Sequence, residues 1–214
     1  MYLATGEFID HSHPDVQAFA QRATAGTLGS ITQAVKLYYA VRDEILYDPY
    51  FVGEAQFYFR ASDCLRAKRG FCIPKAALLA ATARFVGIPA RVGYADVRNH
   101  LSTKKLREMV GGDLFIWHSF TELYLDGRWV KATPAFNLSL CQRFGVNPLE
   151  FDGRNDSLFH EYDRVGRRHM EYVRQRGDFP DVPYEQIIAD FRNAYPRWMA
   201  QATTEAPRDF ATEA

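Results

Sequence analysis

The chain has 214 residues, and its 26 basic and 26 acidic side chains give a formal net charge of zero. Hydrophobic residues make up 47% and charged residues 24%, values typical of a globular protein. The length favours one domain over 1–214 with a sizeable core. The balanced charge argues against nucleic-acid binding, which needs a basic surface, and gives no attraction to an anionic membrane.

Hydropathy and cysteine content favour a reducing cytoplasm. No uninterrupted apolar run approaches the roughly 18 residues that span a bilayer, and the N-terminal segment lacks the pattern of a secretory signal. The cysteines Cys64, Cys72 and Cys141 are too few, and odd in number, for a disulfide framework. They form no CxxC pair, and the histidines complete no zinc-ligand spacing, so we expect no metal.

Two helices are predicted over 14–47, ahead of an aromatic segment. His13-Pro14-Asp15 is typical of a helix start, and Ser30 is the predicted N-cap of the second helix. Asp48-Pro49 ends that helix. Residues 50–60 are predicted as a strand or an extended loop because they are rich in aromatic side chains.

An Ala-rich and Leu-rich segment predicts a helix between Pro74 and Phe85, with Gly87 as its C-terminal cap. Asp126-Gly127 is a strong signal for a two-residue β-hairpin turn. The other elements predicted in this part of the chain are a strand over 91–97, a helix over 101–110, and hairpin strands over 115–125 and 128–133.

The chain changes character after Pro134. Residues 137–153 mix short apolar groups with turn residues, and 155–177 are charged and give no clear assignment. A closing helix is predicted over 183–199 from its apolar spacing. The tail over 201–214 is small and polar, and we expect it to be disordered.

Cys72 follows Arg69-Gly70-Phe71 and opens the Ala-rich helix. Free backbone N–H groups and the positive end of the helix dipole favour a negative charge at that position. A thiol placed there has a lowered pKa, and we expect Arg69 and Lys75 to act in the same direction. Cys72 is therefore the candidate nucleophile, with a buried unreactive cysteine as the alternative.

Trp117-His118-Ser119 begins the first strand of the predicted hairpin. A general base for a cysteine must reach its sulfur at hydrogen-bond distance, and a rigid strand holds such a base in place. His118 is therefore the candidate base. The alternative is an ordinary core or surface histidine.

Three stretches together resemble the transglutaminase-like superfamily of cysteine enzymes: Gly70-Phe71-Cys72, the segment 80–92, and the segment 117–130 with its histidine strand, turn and Trp-Val strand. Each is weak evidence alone, but in this order they are specific. The similarity covers residues 62–137, about a third of the chain. Residues 14–47 and 138–200 are then additions around this core.

The resemblance implies an α+β fold with a papain-like core, in which the nucleophile helix packs on an antiparallel sheet and further helices are added. It implies a thiolate–imidazolium pair of Cys72 and His118. It also implies attack on an amide carbonyl and a thioester acyl-enzyme that is released to water or an amine. No metal and no organic cofactor is implied.

One position departs from the family pattern. The family places an aspartate before the proline that ends the second hairpin strand, and here Thr133 stands before Pro134. The third residue of such a triad orients the imidazole and stabilises its positive form. A threonine hydroxyl accepts a hydrogen bond but carries no charge, and Asn137 is the alternative third residue.

The oxyanion-binding groups are less clearly indicated. The backbone N–H of Cys72 is the natural first donor because it lies at a helix start. Gln56 is a candidate second donor. Trp117 and Asp96 are further candidates for contact with the oxyanion or the substrate.

We expect a cysteine hydrolase that cleaves an amide bond in a peptide or a small amide. Nothing in the sequence suggests a calcium site, so hydrolysis is favoured over cross-linking. Thr133 motivates one alternative, a binding module that keeps the cleft without the chemistry. The other is an acyltransferase of the arylamine N-acetyltransferase kind, although we find no phosphate-binding loop for coenzyme A.

Overall fold

The computed structural model describes residues 1–100, 102–158, 165–166, 169–201 and 210–213. In chain order its helices are α1 (Pro14–Thr24), α2 (Ser30–Glu44), α3 (Ala61–Ala67), α4 (Cys72–Phe85), α5 (Lys104–Val110), α6 (Leu138–Phe144), α7 (Tyr184–Ala194) and α8 (Pro196–Gln201). The strands are β1 (Leu46–Tyr47), β2 (Arg69–Gly70), β3 (Ala90–Asn99), β4 (Leu114–Leu125), β5 (Arg128–Ala132) and β6 (Met170–Phe179). No helix in these ranges is both long enough and apolar enough to cross a membrane.

The two predicted N-terminal helices are confirmed, with one cap displaced. The Nδ1 atom of His13 accepts a hydrogen bond from the Asp15 N–H at 3.2 Å and so caps α1. The N-cap of α2 is Gly29 rather than Ser30, and its φ of +86° suits glycine. Both helices pack against α4.

Helix α4 begins at Cys72, the residue predicted to open it, and is buried over Ile73–Arg84. Proline is tolerated at Pro74 because an N–H in the first helical turn has no intrahelical partner. The small side chains of its alanines allow close contact with α1, α2 and α3 on one side and with β3 and β4 on the other. Gly87, with φ at +83°, ends the helix as predicted.

A four-stranded antiparallel sheet in the order β5-β4-β3-β6 packs against α4. The Thr121 hydroxyl donates a hydrogen bond to the Ala76 carbonyl at 2.9 Å and ties β4 to this helix. The β4–β5 hairpin is confirmed, and Asp126 and Gly127 have φ of +47° and +82°. Two positive φ values are what a tight hairpin turn of this kind requires.

Strand β6 falls within residues 155–177 and beyond, where the sequence permits no assignment. It lies at the edge of the sheet and pairs with β3 alone. Most of its side chains are exposed or half-buried. An edge strand with a solvated face carries no hydrophobic alternation, so the pattern that reveals a strand is missing.

Three further expectations about loops and helices have different outcomes. Of the two forms predicted for residues 50–60, the structure shows the loop, with a 3-10 turn at Gln56–Tyr58. The closing helix is broken at Pro196, which has no N–H to continue the hydrogen-bond ladder, so α7 and α8 are separate. Of the tail, residues 210–213 form a 3-10 turn, and the expectation of disorder at 202–209 and 214 lies outside the described residues.

Candidate active site

Cys72 is the first residue of α4, and three backbone N–H groups converge on its sulfur. They belong to Ser119 on the neighbouring strand β4, to Ile73 and to Cys72 itself, and each lowers the pKa of the thiol. Burial has the larger, opposite effect and raises the pKa of Cys72 to about 11. Burial therefore opposes the thiolate form that the helix start favours.

The two cations expected to activate Cys72 face elsewhere. The fully buried Lys75 donates from Nζ to the carbonyls of Arg42, at 3.0 Å, and of Ile45, where α2 ends. Burial lowers the pKa of this amine to about 7. Arg69 pairs with Asp48 at 3.4 Å. A residue three positions along a helix is a neighbour of the first, but the Lys75 amine is held by carbonyls at the end of α2 and Arg69 is paired with Asp48, so neither charge is directed at the sulfur.

His118 lies on β4, one residue before the Ser119 N–H that reaches Cys72, and is 6% exposed. Burial lowers the pKa of its imidazole to about 3. At neutral pH the imidazole is uncharged and retains a nitrogen lone pair, which is the form that a general base needs. Burial thus disfavours the charged form of both the thiol and the imidazole.

A β-bulge immediately precedes His118. Ala95 pairs with His118 and Val97 pairs with Phe115, so a single residue of β3 opposes two residues of β4. Trp117 occupies the bulge with φ at +58°, a left-handed conformation that a bulky side chain rarely adopts. The bulge interrupts strand alternation, and the consecutive residues 115–118 all line one cavity.

A partly buried ionic network holds Trp117 in this conformation. Asp96 accepts a hydrogen bond from the Trp117 backbone N–H at 3.1 Å, and Asp190 accepts one from the indole N–H at 2.8 Å. Arg176 bonds to both carboxylates, at 2.6 Å to Asp190, and its guanidinium lies 4.6 Å from the centre of the indole ring. Asp96 therefore supports the strand before the histidine and is not among the residues that line the cavity.

The two candidates for the third triad residue occupy different environments. Thr133 is 1% exposed, and its hydroxyl has no hydrogen-bond partner among the described residues. Asn137 is also buried, but its amide accepts from the Tyr47 N–H at 2.9 Å and donates to the Ser139 hydroxyl at 2.8 Å. The Asn137 amide oxygen is thus already engaged, whereas the Thr133 hydroxyl remains available to an imidazole.

Gln56 is not brought to the site. It is exposed in the 3-10 turn and does not line the cavity. The Ser119 N–H, which sequence reasoning did not consider, lies at the sulfur instead. A backbone group of any residue type serves in this role, so no sequence signal marks it.

Cys72 and His118 line the same cavity, which has a volume of about 230 Å³. Its wall is dominated by aromatic and aliphatic side chains and includes Trp117. Sequence reasoning did not place residues from the C-terminal third of the chain here, yet they form much of the wall: Met170, Phe191, Tyr195, Trp198 and Phe210. Their only signal is apolar character, which equally describes core residues.

The family model of the transglutaminase-like superfamily matches residues 17–134. Because this match covers more than half of the sequence, the chain belongs to the transglutaminase-like superfamily. No curated protein matches the sequence.

Among solved structures, the fold is similar to that of a proposed cysteine protease from Cytophaga hutchinsonii, with a TM-score of 0.51 and 15% identity. The alignment covers 84% of this chain and 46% of that chain, so this chain spans less than half the length of that protein. An arylamine N-acetyltransferase from Salmonella typhimurium aligns with a TM-score of 0.49 and 15% identity, over 89% of this chain and 73% of that chain. Together with the family match, the first similarity establishes the papain-like, transglutaminase-like α+β fold.

Proposed function

We propose that this protein is a cysteine hydrolase that cleaves an amide bond in a peptide or a small amide through a thioester on Cys72. One observation carries the proposal. Cys72 and His118 line a single cavity, and the N–H of the residue after the histidine points at the cysteine sulfur. In this proposal α4 supplies the nucleophile and β4 supplies the base, and these two elements pack together in the family fold.

Burial disfavours the charged forms of both side chains, and in the proposed mechanism attack and proton transfer occur together. The Cys72 sulfur forms a bond to the carbonyl carbon as His118 accepts the thiol proton. The C–N bond then breaks, and the imidazolium returns that proton to the departing amine. Water next attacks the thioester, with His118 taking a proton from water and giving it to the leaving thiolate.

The converging backbone N–H groups of Cys72, Ile73 and Ser119 supply the electrostatic part of the proposal. In the free protein they point at the sulfur. When the substrate's carbonyl carbon bonds to that sulfur, the carbonyl oxygen is one bond away from the new C–S bond and develops negative charge. It therefore lies close to the three N–H groups. Donors already held by α4 and β4 stabilise such a charge without reorganisation.

Thr133 is proposed to orient His118. The β4–β5 register pairs Thr121 with Ala132, which places Thr133 opposite Phe120 and on the same face as His118. The imidazole N–H then donates to the buried hydroxyl. This partner is uncharged and adds no charge to offset the burial that lowers the pKa of His118.

The test is acylation by an activated ester, followed by mass spectrometry of the intact protein and of its peptides. We expect an acyl adduct on Cys72 that is absent in Cys72→Ser. Cys141→Ser is the matched control because Cys141 lines the same cavity, and this variant should still form the adduct. An adduct found on Cys141, or none at all, would contradict the proposal.

The raised pKa of Cys72 and the threonine at position 133 specifically favour a second candidate, a binding module with an unreactive cleft. It predicts no acyl-enzyme with any activated ester. It also predicts that Cys72→Ser binds cavity ligands as the natural chain does. The acylation experiment therefore separates the two functions.

A further inference from the structure

We infer that the acyl group carried by Cys72 is a bulky, uncharged, apolar one, aromatic or branched aliphatic, that inserts into the cavity beside the sulfur. This inference rests on the proposed function and adds the substrate class. Among the described residues, no Asp, Glu, Lys or Arg side chain lines the cavity. A charged acyl group would lose its hydration there without gaining a counter-ion, which disfavours it strongly.

The walls of the cavity are aromatic on two sides. On one side Phe71 and Phe191 pack around Trp198, with ring centres 6.2 and 5.5 Å from it. On the other side Phe136 and Phe210 contact Tyr47, at 4.7 and 5.9 Å between ring centres. Aromatic rings bind a further ring by edge and offset contacts in addition to area burial, so these walls favour an aromatic acyl group.

The size of the cavity agrees with this class. An apolar cavity of about 150 Å³ in a protein core holds a benzene molecule. At about 230 Å³ the present cavity accommodates a phenyl ring together with its linker to the carbonyl carbon. An acetyl group would leave most of this volume unfilled and forfeit the dispersion contacts of its walls.

Phe210, in the 3-10 turn over residues 210–213, contributes to the wall of the cavity. Phe210 stacks on Phe144 with ring centres 5.3 Å apart. Glu213 anchors the segment by accepting hydrogen bonds from the hydroxyls of Tyr50 and Thr103, both at 2.8 Å, and by pairing with Lys105 at 3.3 Å. Phe210 is therefore a determinant of how large an acyl group fits.

The test uses thioesters of N-acetylcysteamine, so that the leaving group is constant, small and not aromatic. Acetyl, phenylacetyl, 1-naphthylacetyl and succinyl thioesters are compared by the rate at which Cys72 gains the acyl mass at low substrate concentration. The Cys72 sulfur bonds to the carbonyl carbon, and the N-acetylcysteamine thiolate leaves with the proton that His118 accepted. We expect phenylacetyl transfer at least tenfold faster than acetyl, and succinyl transfer slower than acetyl.

Two variants on α6 sharpen the result. Leu140 is buried and lines the cavity, whereas Leu138 on the same helix is 38% exposed and does not. Leu140→Trp should reduce phenylacetyl transfer at least tenfold and acetyl transfer much less, while Leu138→Trp changes neither. If Leu140→Trp does not fold, Phe210→Ala serves instead, because an enlarged cavity should raise naphthylacetyl transfer at least fivefold relative to phenylacetyl.

The outcomes separate the inference from the proposed function. Acylation of Cys72 without preference for phenylacetyl, or with succinyl favoured, overturns the apolar substrate class and leaves the hydrolase intact. Failure of every thioester to acylate Cys72 overturns the proposed function itself, and the substrate class with it.

Discussion

Cys72 and Cys141 line the same cavity but come from different local structures. Cys72 is the first residue of a 14-residue helix, and three backbone N–H groups point at its sulfur. Cys141 lies inside the 7-residue helix α6 and directs its thiol towards the Phe136 carbonyl at 3.9 Å. Under the proposed function, the difference teaches that lining the cavity is not enough to make a cysteine the nucleophile, and that donors able to stabilise a developing negative charge distinguish Cys72.

The largest expected effect comes from replacing the sulfur atom of each cysteine in turn. Cys72→Ser should lower turnover of an acyl substrate by roughly a thousandfold or more, because the nucleophile is lost. Cys141→Ser should retain at least about a third of the rate, since this near-isosteric change removes no reacting atom. Steady-state kinetics measure both, and a comparable loss in the two variants would refute the assignment.

His118→Gln tests the base that only Cys72 is proposed to use. Removing a general base of this kind costs about a hundredfold or more in kcat/KM. His169 lines the same cavity, and His169→Gln is the matched control, for which we expect less than about a tenfold loss. An equal loss of kcat/KM in the two histidine variants would show that a place in the cavity wall, rather than proximity to Cys72, decides the loss.

Thr133→Asp asks whether the missing aspartate explains the neutral pair. An aspartate would raise the pKa of His118 from about 3, and the imidazolium so favoured would lower the pKa of Cys72 from about 11. Iodoacetamide alkylation of Cys72 at pH 7 should then rise about tenfold for each unit of that shift. Thr133→Asn is the control, because an asparagine side chain has the shape of an aspartate without its charge. Identical pH profiles of alkylation for the two variants would argue against the electrostatic explanation.

The network behind His118 is tested by Arg176→Lys. A lysine cannot bridge Asp96 and Asp190 with a planar fork, so the variant should lose about 1–3 kcal/mol in the free energy of unfolding. Arg174→Lys on the exposed part of the same strand should change it by less than about 0.5 kcal/mol. Urea denaturation measures both, and equal stabilities would mean that the network does not hold the bulge.

Over the single pH unit between 6.5 and 5.5, the smallest expected effect is the pH dependence of stability that His118 contributes. Its pKa is lowered to about 3 in the folded chain, so below its ordinary value of 6.5 the unfolded chain binds the proton more readily. The contribution of His118 to the free energy of unfolding is fully present above pH 6.5. It decreases by about 1.4 kcal/mol per pH unit as the pH falls from there towards 3. His118→Gln should lack this component between pH 6.5 and 5.5, where its unfolding curves should shift less than those of the natural chain.

The sequence was sufficient to predict the helix that Cys72 opens, the hairpin that carries His118, and the family, because each rests on local patterns of a few residues. The sequence was insufficient to predict which groups surround the site. The pKa of Cys72 depends on burial by groups distant in the chain, and the bulge at Trp117 depends on Arg176 and Asp190, which follow it by many residues. Strand β6 was missed because its polar side chains are those of a solvated edge.

The three tryptophans of the chain are divided between the cavity and the outside of the sheet. Trp117 and Trp198 line the cavity, whereas Trp129 packs against Tyr2 and Tyr124 and lies apart from it. Intrinsic fluorescence therefore reports on the occupancy of this site without any added label. In a Trp129→Phe background, stopped-flow emission would follow a ligand as it arrives and leaves, even when that ligand has no absorbance of its own.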